Sequence, residues 1–263
     1  MIHLLFIDPR VRRSLVGGGV GLSMHGPFRV ATERTRFAMP ETDIGYFTDV
    51  GATHFLSHLD GQLGTYLGLT SSQVIGRQVL YGGFLFEMKW TVALLTSWMT
   101  ISECGIATHF VPSRNIPLLL ERLARLEGAT HAVISEAIDE FYEHRTANDP
   151  PPRLVGPIRE AIDYAFSPRN PIDIMEKLQA LTSGGVKPAW LNPTVEAWAK
   201  ETVDALLARS PTSVVVTREA LFLAREKTLK GAFETEMRLA QAYCVRGPSA
   251  ICSRRLAFGV TVY

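Results

Sequence analysis

Three consecutive glycines, Gly17-Gly18-Gly19, followed by Val20-Gly21-Leu22-Ser23-Met24-His25-Gly26, constrain this chain more than any other segment. Glycine runs belong where the backbone turns tightly or comes close to another group, because no Cβ stands in the way. The spacing excludes three familiar uses. A P-loop needs Lys followed by Ser or Thr directly after its last glycine, and no such pair is present. A dinucleotide fingerprint needs glycine at its first, third and sixth positions, but the sixth is Leu22 counted from Gly17 and Met24 counted from Gly19. A nucleophile elbow around Ser23 needs glycine two residues away on both sides; Gly21 qualifies and His25 does not. One chemical use is left. Glycines ahead of an apolar helical stretch leave backbone N–H groups exposed at a helix start, where they can bind an anion or a developing oxyanion. A tight strand-to-helix turn with no chemistry fits the same residues.

A second segment carries acids among apolar residues. Met39-Pro40-Glu41-Thr42-Asp43-Ile44-Gly45-Tyr46-Phe47-Thr48-Asp49-Val50-Gly51 places Glu41, Asp43 and Asp49 beside aromatic side chains. A carboxyl partly removed from water favours its neutral form and is tuned for proton transfer near neutral pH. Two such groups can position a water and hold a substrate hydroxyl. Acids on a solvated loop are the alternative, and the sequence alone leaves both open.

The remaining sequence is organised as a glycine-rich α/β part up to about residue 111 and a helical part over 112–263. Phe28 to Ala31 and Thr35 to Met39 read as strands, and Leu56 to Leu69 as helical spacing broken by Gly61 and Gly64. Helices are predicted over 116–127, where Leu119, Leu123 and Leu126 share a face, and over 131–144 on Ile134, Ile138 and Phe141. Asp149-Pro150-Pro151-Pro152 marks a loop. Asn170-Pro171, Asn192-Pro193 and Ser210-Pro211 each pair a capping side chain with a proline suited to the first helical position.

Composition excludes several classes. Of 263 residues, 46% are hydrophobic and 20% charged, as in a folded globular protein. With 27 basic and 26 acidic side chains the formal net charge is +1, so direct nucleic-acid binding through charge is not expected. Three cysteines make no disulfide framework. Residues 84–101 are mostly apolar but contain Glu87 and Lys89, so no membrane span is expected there. His54 and His58 could share a helix face, yet Phe55 stands where a zinc-protease helix needs glutamate, and no metal is expected. Met1 to Val16 lack the order of a secretory signal and form no convincing transit helix.

Taken together, GGGVGLSMHGPFRVATERTRFAMPETDIGYFTDVG at 17–51, GIATHFV at 105–111 and SPTSVVVT at 210–217 resemble the 3-hydroxyisobutyryl-CoA hydrolases of the crotonase superfamily. The resemblance spans about 17–80 and 105–245. It implies an α/β fold, an incomplete crotonase-type ββα spiral followed by a helical C-terminal region. It also implies hydrolysis of a short β-hydroxyacyl-CoA, 3-hydroxyisobutyryl-CoA first, in valine breakdown. The setting would be mitochondrial, with an acyl-CoA substrate and no cofactor. By this resemblance Gly18 would give a backbone N–H to the thioester oxygen. Glu41 would be the principal catalytic carboxylate, and Asp49 would contact the acyl end and its 3-hydroxyl. Asp43 matches no acid of the family.

The chain departs from the family pattern in three places. Residues 1–16 do not resemble the long part that precedes the glycine block in the family. Residues 81–104 interrupt a region the family joins almost directly, and are expected to be an insertion not native to the fold. The stretch after Arg246 does not match. An interrupted spiral exposes sheet edges, so poor solubility is expected. Three other readings accompany the hydrolase, one of them an inactive chain in which half of the oxyanion hole is absent. Enoyl-CoA hydratases and isomerases resemble the same region more loosely, but no acid lies between Gly17 and Glu33 to serve as their second glutamate. Fungal relatives of the hydrolase are incorporated into the mitochondrial small ribosomal subunit, which implies a non-enzymatic alternative. Self-association is also open.

Overall fold

The computed structural model describes residues 4–6, 15–79, 106–143, 153–183 and 188–252. In chain order the first half contains β1 (Leu4–Phe6), β2 (Leu15–Val16), α1 (Gly18–Met24), β3 (Phe28–Ala31), β4 (Arg36–Ala38), α2 (Ala52–Ser57), α3 (Leu63–Thr70), β5 (Val74–Ile75) and β6 (His109–Phe110). The six strands are divided between two sheets. One is β1-β3-β6, all parallel; the other is β2-β4-β5, with β5 antiparallel to β4. Each pair of strands is followed by helix, so the chain climbs as a ββα spiral. The register sets Leu5 against Arg29 and Leu15 against Phe37, so two short strands from the first sixteen residues, which the sequence did not connect to this pattern, join the two sheets. The predicted insertion at 81–104, the loop at 149–152 and the apolar stretch at 84–101 lie outside the described residues.

The helical part follows as α4 (Ile116–Ala124), α5 (His131–Asp139), α6 (Pro157–Ala165), α7 (Pro171–Thr182), α8 (Pro193–Leu207), α9 (Pro211–Ala224) and α10 (Leu229–Cys252). The three predicted starts form as read. Asn170 accepts a hydrogen bond from the Ile172 N–H, Asn192 from those of Thr194 and Val195, and Ser210 from that of Ser213, each with proline next in sequence. Among the described residues no helix is long and apolar enough to cross a membrane.

The helical spacing read over 56–69 resolves into two helices, α2 and α3. Gly61 takes positive φ in the turn between them. Gly64 does not break anything: it lies inside α3, where a Cβ would stand 1.8 Å from the Leu56 carbonyl oxygen. Its missing side chain lets α3 cross directly on the end of α2.

One core joins the spiral to the helices. Val20, Phe37, Met39, Leu56 and Leu67 meet Ile162, Leu178 and Trp198 in a single buried cluster. A second cluster lies under β3, where Phe28 and Val30 pack on Leu119, Ile134 and Ile138 of α4 and α5. A third, small one matters most for the site. Phe47 is held between Val216 and Ala220 of α9 and Leu239 and Tyr243 of α10. The Thr48 N–H also donates to Thr217 Oγ1 at 3.2 Å, so the acid-bearing loop is anchored on the last two helices.

Candidate active site

The glycine block forms the junction between β2 and α1. Gly17 sits at φ 57° and ψ −122°, a conformation only glycine adopts without strain. Its N–H donates to the Ala38 carbonyl at 3.2 Å, which ties it to the end of β4. From there the chain continues through Met39 and Pro40 to Glu41. A Cβ on Gly17 would stand 2.8 Å from Glu41 Oε1, so this glycine is required by contact as well as by dihedral. Gly18 opens α1, and the N–H of a first helical residue has no partner within its own helix. It is exposed, and a Cβ there would meet nothing within 4 Å. Gly18 therefore faces open space one residue from the Glu41 carboxyl.

Glu41 is only 5% exposed. Its Oε2 is buried and has no hydrogen-bond partner. Burial pushes its pKa up to about 7, and the charge of Asp49 adds to the shift. The backbone holds this carboxyl in place: its own carbonyl accepts from Ile44 at 3.2 Å and Tyr46 at 2.8 Å, closing a tight turn. Thr42, also buried, donates to the Leu69 carbonyl at 3.1 Å and fastens the turn to the end of α3. A carboxyl with one buried, unpaired oxygen and a pKa near neutrality has the character that a proton-transfer group requires.

Asp49 is half-buried, and burial raises its pKa too. Its charge acts on Glu41, on Tyr46, whose hydroxyl is pushed up to about 12 mainly by burial, and on Glu236. The two acids singled out from sequence thus lie within electrostatic reach of each other. Asp43 does not join them. It is exposed and forms an ion pair with Arg209, whose guanidinium also donates to the Thr70 carbonyl. Of the three acids in this loop, two face inward and one braces the loop from outside.

Glu236 is the group that the sequence did not indicate. It lies on α10, 4% exposed, and accepts from the Gly51 N–H at 2.7 Å, the Thr53 N–H at 3.1 Å and Thr53 Oγ1 at 2.5 Å. It thereby caps the start of α2 from 183 residues away. Burial raises its pKa, and its three donors work against that shift. No local motif marks a cap supplied by a distant helix. Phe233, one turn earlier on α10, meets His25 in a tilted ring contact at 5.6 Å, covering the same corner. Trp198 packs on Tyr66 at 5.7 Å within the core.

His54 and His58 do share a helix face, with ring centroids 4.4 Å apart, and among the described residues no group of three or more His, Cys, Asp or Glu side chains could hold a metal. The buried His109 superficially suggests nucleophilic chemistry. His109 Nε2 lies 2.9 Å from Ser135 Oγ and 3.8 Å from Asp139, while Nδ1 lies 2.8 Å from Thr108 Oγ1. A triad needs the serine and the acid on opposite ring nitrogens. Here both approach Nε2, so this is a satisfied packing histidine that fixes α5 against β6.

The model of the enoyl-CoA hydratase/isomerase family matches residues 14–88 and 91–252. The chain belongs to that family. Its fold is accordingly the α/β crotonase type with a helical C-terminal region. It resembles the crystal structure of a carnitinyl-CoA dehydratase from Mycobacterium thermoresistibile with a TM-score of 0.65 at 26% identity, over 95% of this chain and 62% of that one. The chain is 38% identical over 235 residues to small ribosomal subunit protein mS47 of Neurospora crassa, covering 87% of this chain and 41% of that protein. To the mitochondrial 3-hydroxyisobutyryl-CoA hydrolase of Homo sapiens it is 34% identical over 232 residues, 88% of this chain and 51% of that protein. This family member thus spans about half the length of the relatives it matches.

Proposed function

We propose that the protein hydrolyses a short β-hydroxyacyl-CoA thioester, 3-hydroxyisobutyryl-CoA first, in a mitochondrial setting. The observation that carries this reading is the Glu41 carboxyl: buried, unpaired at Oε2, poised near pH 7 and adjacent to the exposed start of α1. Similarity to proteins named 3-hydroxyisobutyryl-CoA hydrolase supports the choice of substrate.

In this reading Glu41, ionised, takes a proton from a water as the water oxygen bonds to the thioester carbon. The carbonyl π pair moves onto oxygen, and the Gly18 N–H stabilises that charge. When the carbonyl re-forms, the carbon–sulfur bond breaks. The sulfur leaves as thiolate and receives the proton that Glu41 holds. The products are the free acid and coenzyme A, and Glu41 returns to its ionised form. A pKa near 7 suits a group that must act first as base and then as acid. Asp49 receives the 3-hydroxyl of the acyl group. The sequence requires no metal or redox group.

The test is thiol release from 3-hydroxyisobutyryl-CoA by the chain and by Glu41→Gln. Release by the first that is lost in the second is the expected result; equal release by both would end this reading. Hydration of crotonyl-CoA by the same sample would favour the hydratase alternative.

A second reading rests on the relatives named mS47, from Neurospora crassa and Schizosaccharomyces pombe, each 38% identical. In it the fold serves as a component of the mitochondrial small ribosomal subunit, docked through protein contacts, as the net charge of +1 favours. Co-sedimentation with that subunit, coupled with absent thiol release, is what this reading expects.

A further inference from the structure

Val50 and Gly51 follow Asp49 directly, and both are in the left-handed region, at φ 58° and 79°. For a β-branched residue that conformation is strained and persists only where the surroundings impose it. Three contacts do so. Gly21 of α1 lies so close that a Cβ there would stand 2.4 Å from Val50 Cβ. The Gly51 N–H is held by Glu236 at 2.7 Å, and Thr53 is held by the same carboxylate through both its N–H and its hydroxyl. The Asp49 carbonyl, in turn, accepts from Ala52 at 2.9 Å inside the turn so formed. Release of Glu236 would free the strained pair to relax, and Asp49 would move with it.

We infer that Glu236 is a positioning residue: by clamping the strained 50–53 turn to α10, it fixes Asp49 at the acyl end of the site and so sets selectivity for a β-hydroxyl. This deepens the proposed function and rests on its placement of Asp49. The clamp works by geometry. A carboxylate can accept from Gly51 and Thr53 simultaneously with its two oxygens, whereas an amide offers one acceptor and sets an N–H₂ against an N–H.

The test uses the full chain, with Glu236→Gln and Thr53→Val, the latter removing only the hydroxyl donor. Two measurements are made. Amide hydrogen exchange at Gly51 and Thr53 reads the clamp without reference to activity; it is expected to accelerate about ten- to a hundredfold in Glu236→Gln and less in Thr53→Val. Thiol release from 3-hydroxyisobutyryl-CoA and from isobutyryl-CoA reads the consequence. The ratio of their kcat/KM values is expected to fall about tenfold or more in Glu236→Gln, and by no further factor when Asp49→Asn is already present. Unchanged exchange in both variants overturns the inference. So does accelerated exchange with equal loss on both thioesters, which would make Glu236 merely structural. If the unsubstituted chain releases no thiol while exchange responds as expected, the clamp stands and the hydrolase reading fails.

Discussion

The acid-bearing loop and the α7–α9 helical region are built on opposite terms. In the helical region the helix starts are met locally, although Trp198 Nε1, Ser213 Oγ and Arg218 Nη1 are buried there without a partner. Asn170, Asn192 and Ser210 satisfy helix-start donors, and Arg169 pairs with Glu219. Arg159 of α6, adjoining them, pairs with Asp60 at 2.7 Å and Asp163 at 3.1 Å. Around residues 17–51 demands are left open. Glu41 Oε2 is buried without a partner, Val50 is strained, and Gly17 and Gly51 adopt conformations that other residues avoid. Unpaired burial and strain cost stability and persist where the surroundings over-determine them. The α7–α9 region is relaxed in its backbone, and backbone strain gathers around residues 17–51.

The largest effect that would break this contrast comes from Glu41→Gln. Thiol release is expected to fall about 10²- to 10⁴-fold, as for loss of a general base. In the unsubstituted chain kcat/KM should fall as pH drops through about 7, because the base must be ionised. A flat pH profile would remove Glu41 from the reaction.

The same substitution sharpens the stability side. The folded-state pKa of Glu41 is raised from 4.5 to about 7, so the fold binds its proton more tightly than the unfolded chain does. Stability therefore declines as pH rises from about 4.5 to about 7 and then levels off. Glu41→Gln removes that decline. It should raise stability by on the order of 3 kcal/mol at pH 8 and by little at pH 4, as denaturant melts at the two pH values would show.

Next in size is Gly51→Ala. It places a Cβ 2.4 Å from His25 Nε2 at a φ of 79°, and should cost about 2 kcal/mol or more in a thermal or urea melt. Gly45→Ala is its control: φ is also 79°, but nothing lies within 4 Å, so only the backbone term of about 1 kcal/mol remains. Equal losses at the two positions would mean that the corner under α10 is looser than its contacts indicate.

On the relaxed side, Asn192→Ala removes an acceptor for two N–H groups and should cost about 1 kcal/mol in the same melt, leaving thiol release unaltered. Smallest of all is Asp43→Asn. Its ion pair with Arg209 is exposed, and such pairs contribute about 0–1 kcal/mol. A large loss of thiol release in this variant would contradict the division of the three acids into two inward and one outward.

Several parts of this picture were legible along the chain because their signals are local. Capping side chains and prolines act within three residues, so the starts of α7, α8 and α9 could be read directly. The periodic leucines of α4 and the isoleucines of α5 gave their helices, although α4 ends at Ala124 and α5 at Asp139, short of the predicted 127 and 144. At both ends the last apolar residue, Leu126 and Phe141, packs from just beyond the helix. The glycine block and the spacing from Glu41 to Asp49 pointed to the family.

By itself, then, the sequence determined the helix starts, the two-part organisation and the acids and glycines from which a site could be made. Tertiary structure alone decided where each of them lies and what surrounds it. Whether an acid near neutrality is catalytic depends on what removes water from it and what fails to pair with it, and those neighbours come from anywhere in the chain. Glu41 titrates near 7 because the fold buries it behind Gly17; Asp43 is drawn outward by Arg209; Gly64 is a packing contact; and Glu236 reaches the turn after Asp49 across 183 residues. Dihedral and capping preferences act over a few residues, whereas burial and electrostatic coupling act through space, and space is assigned only when the spiral and α10 close together.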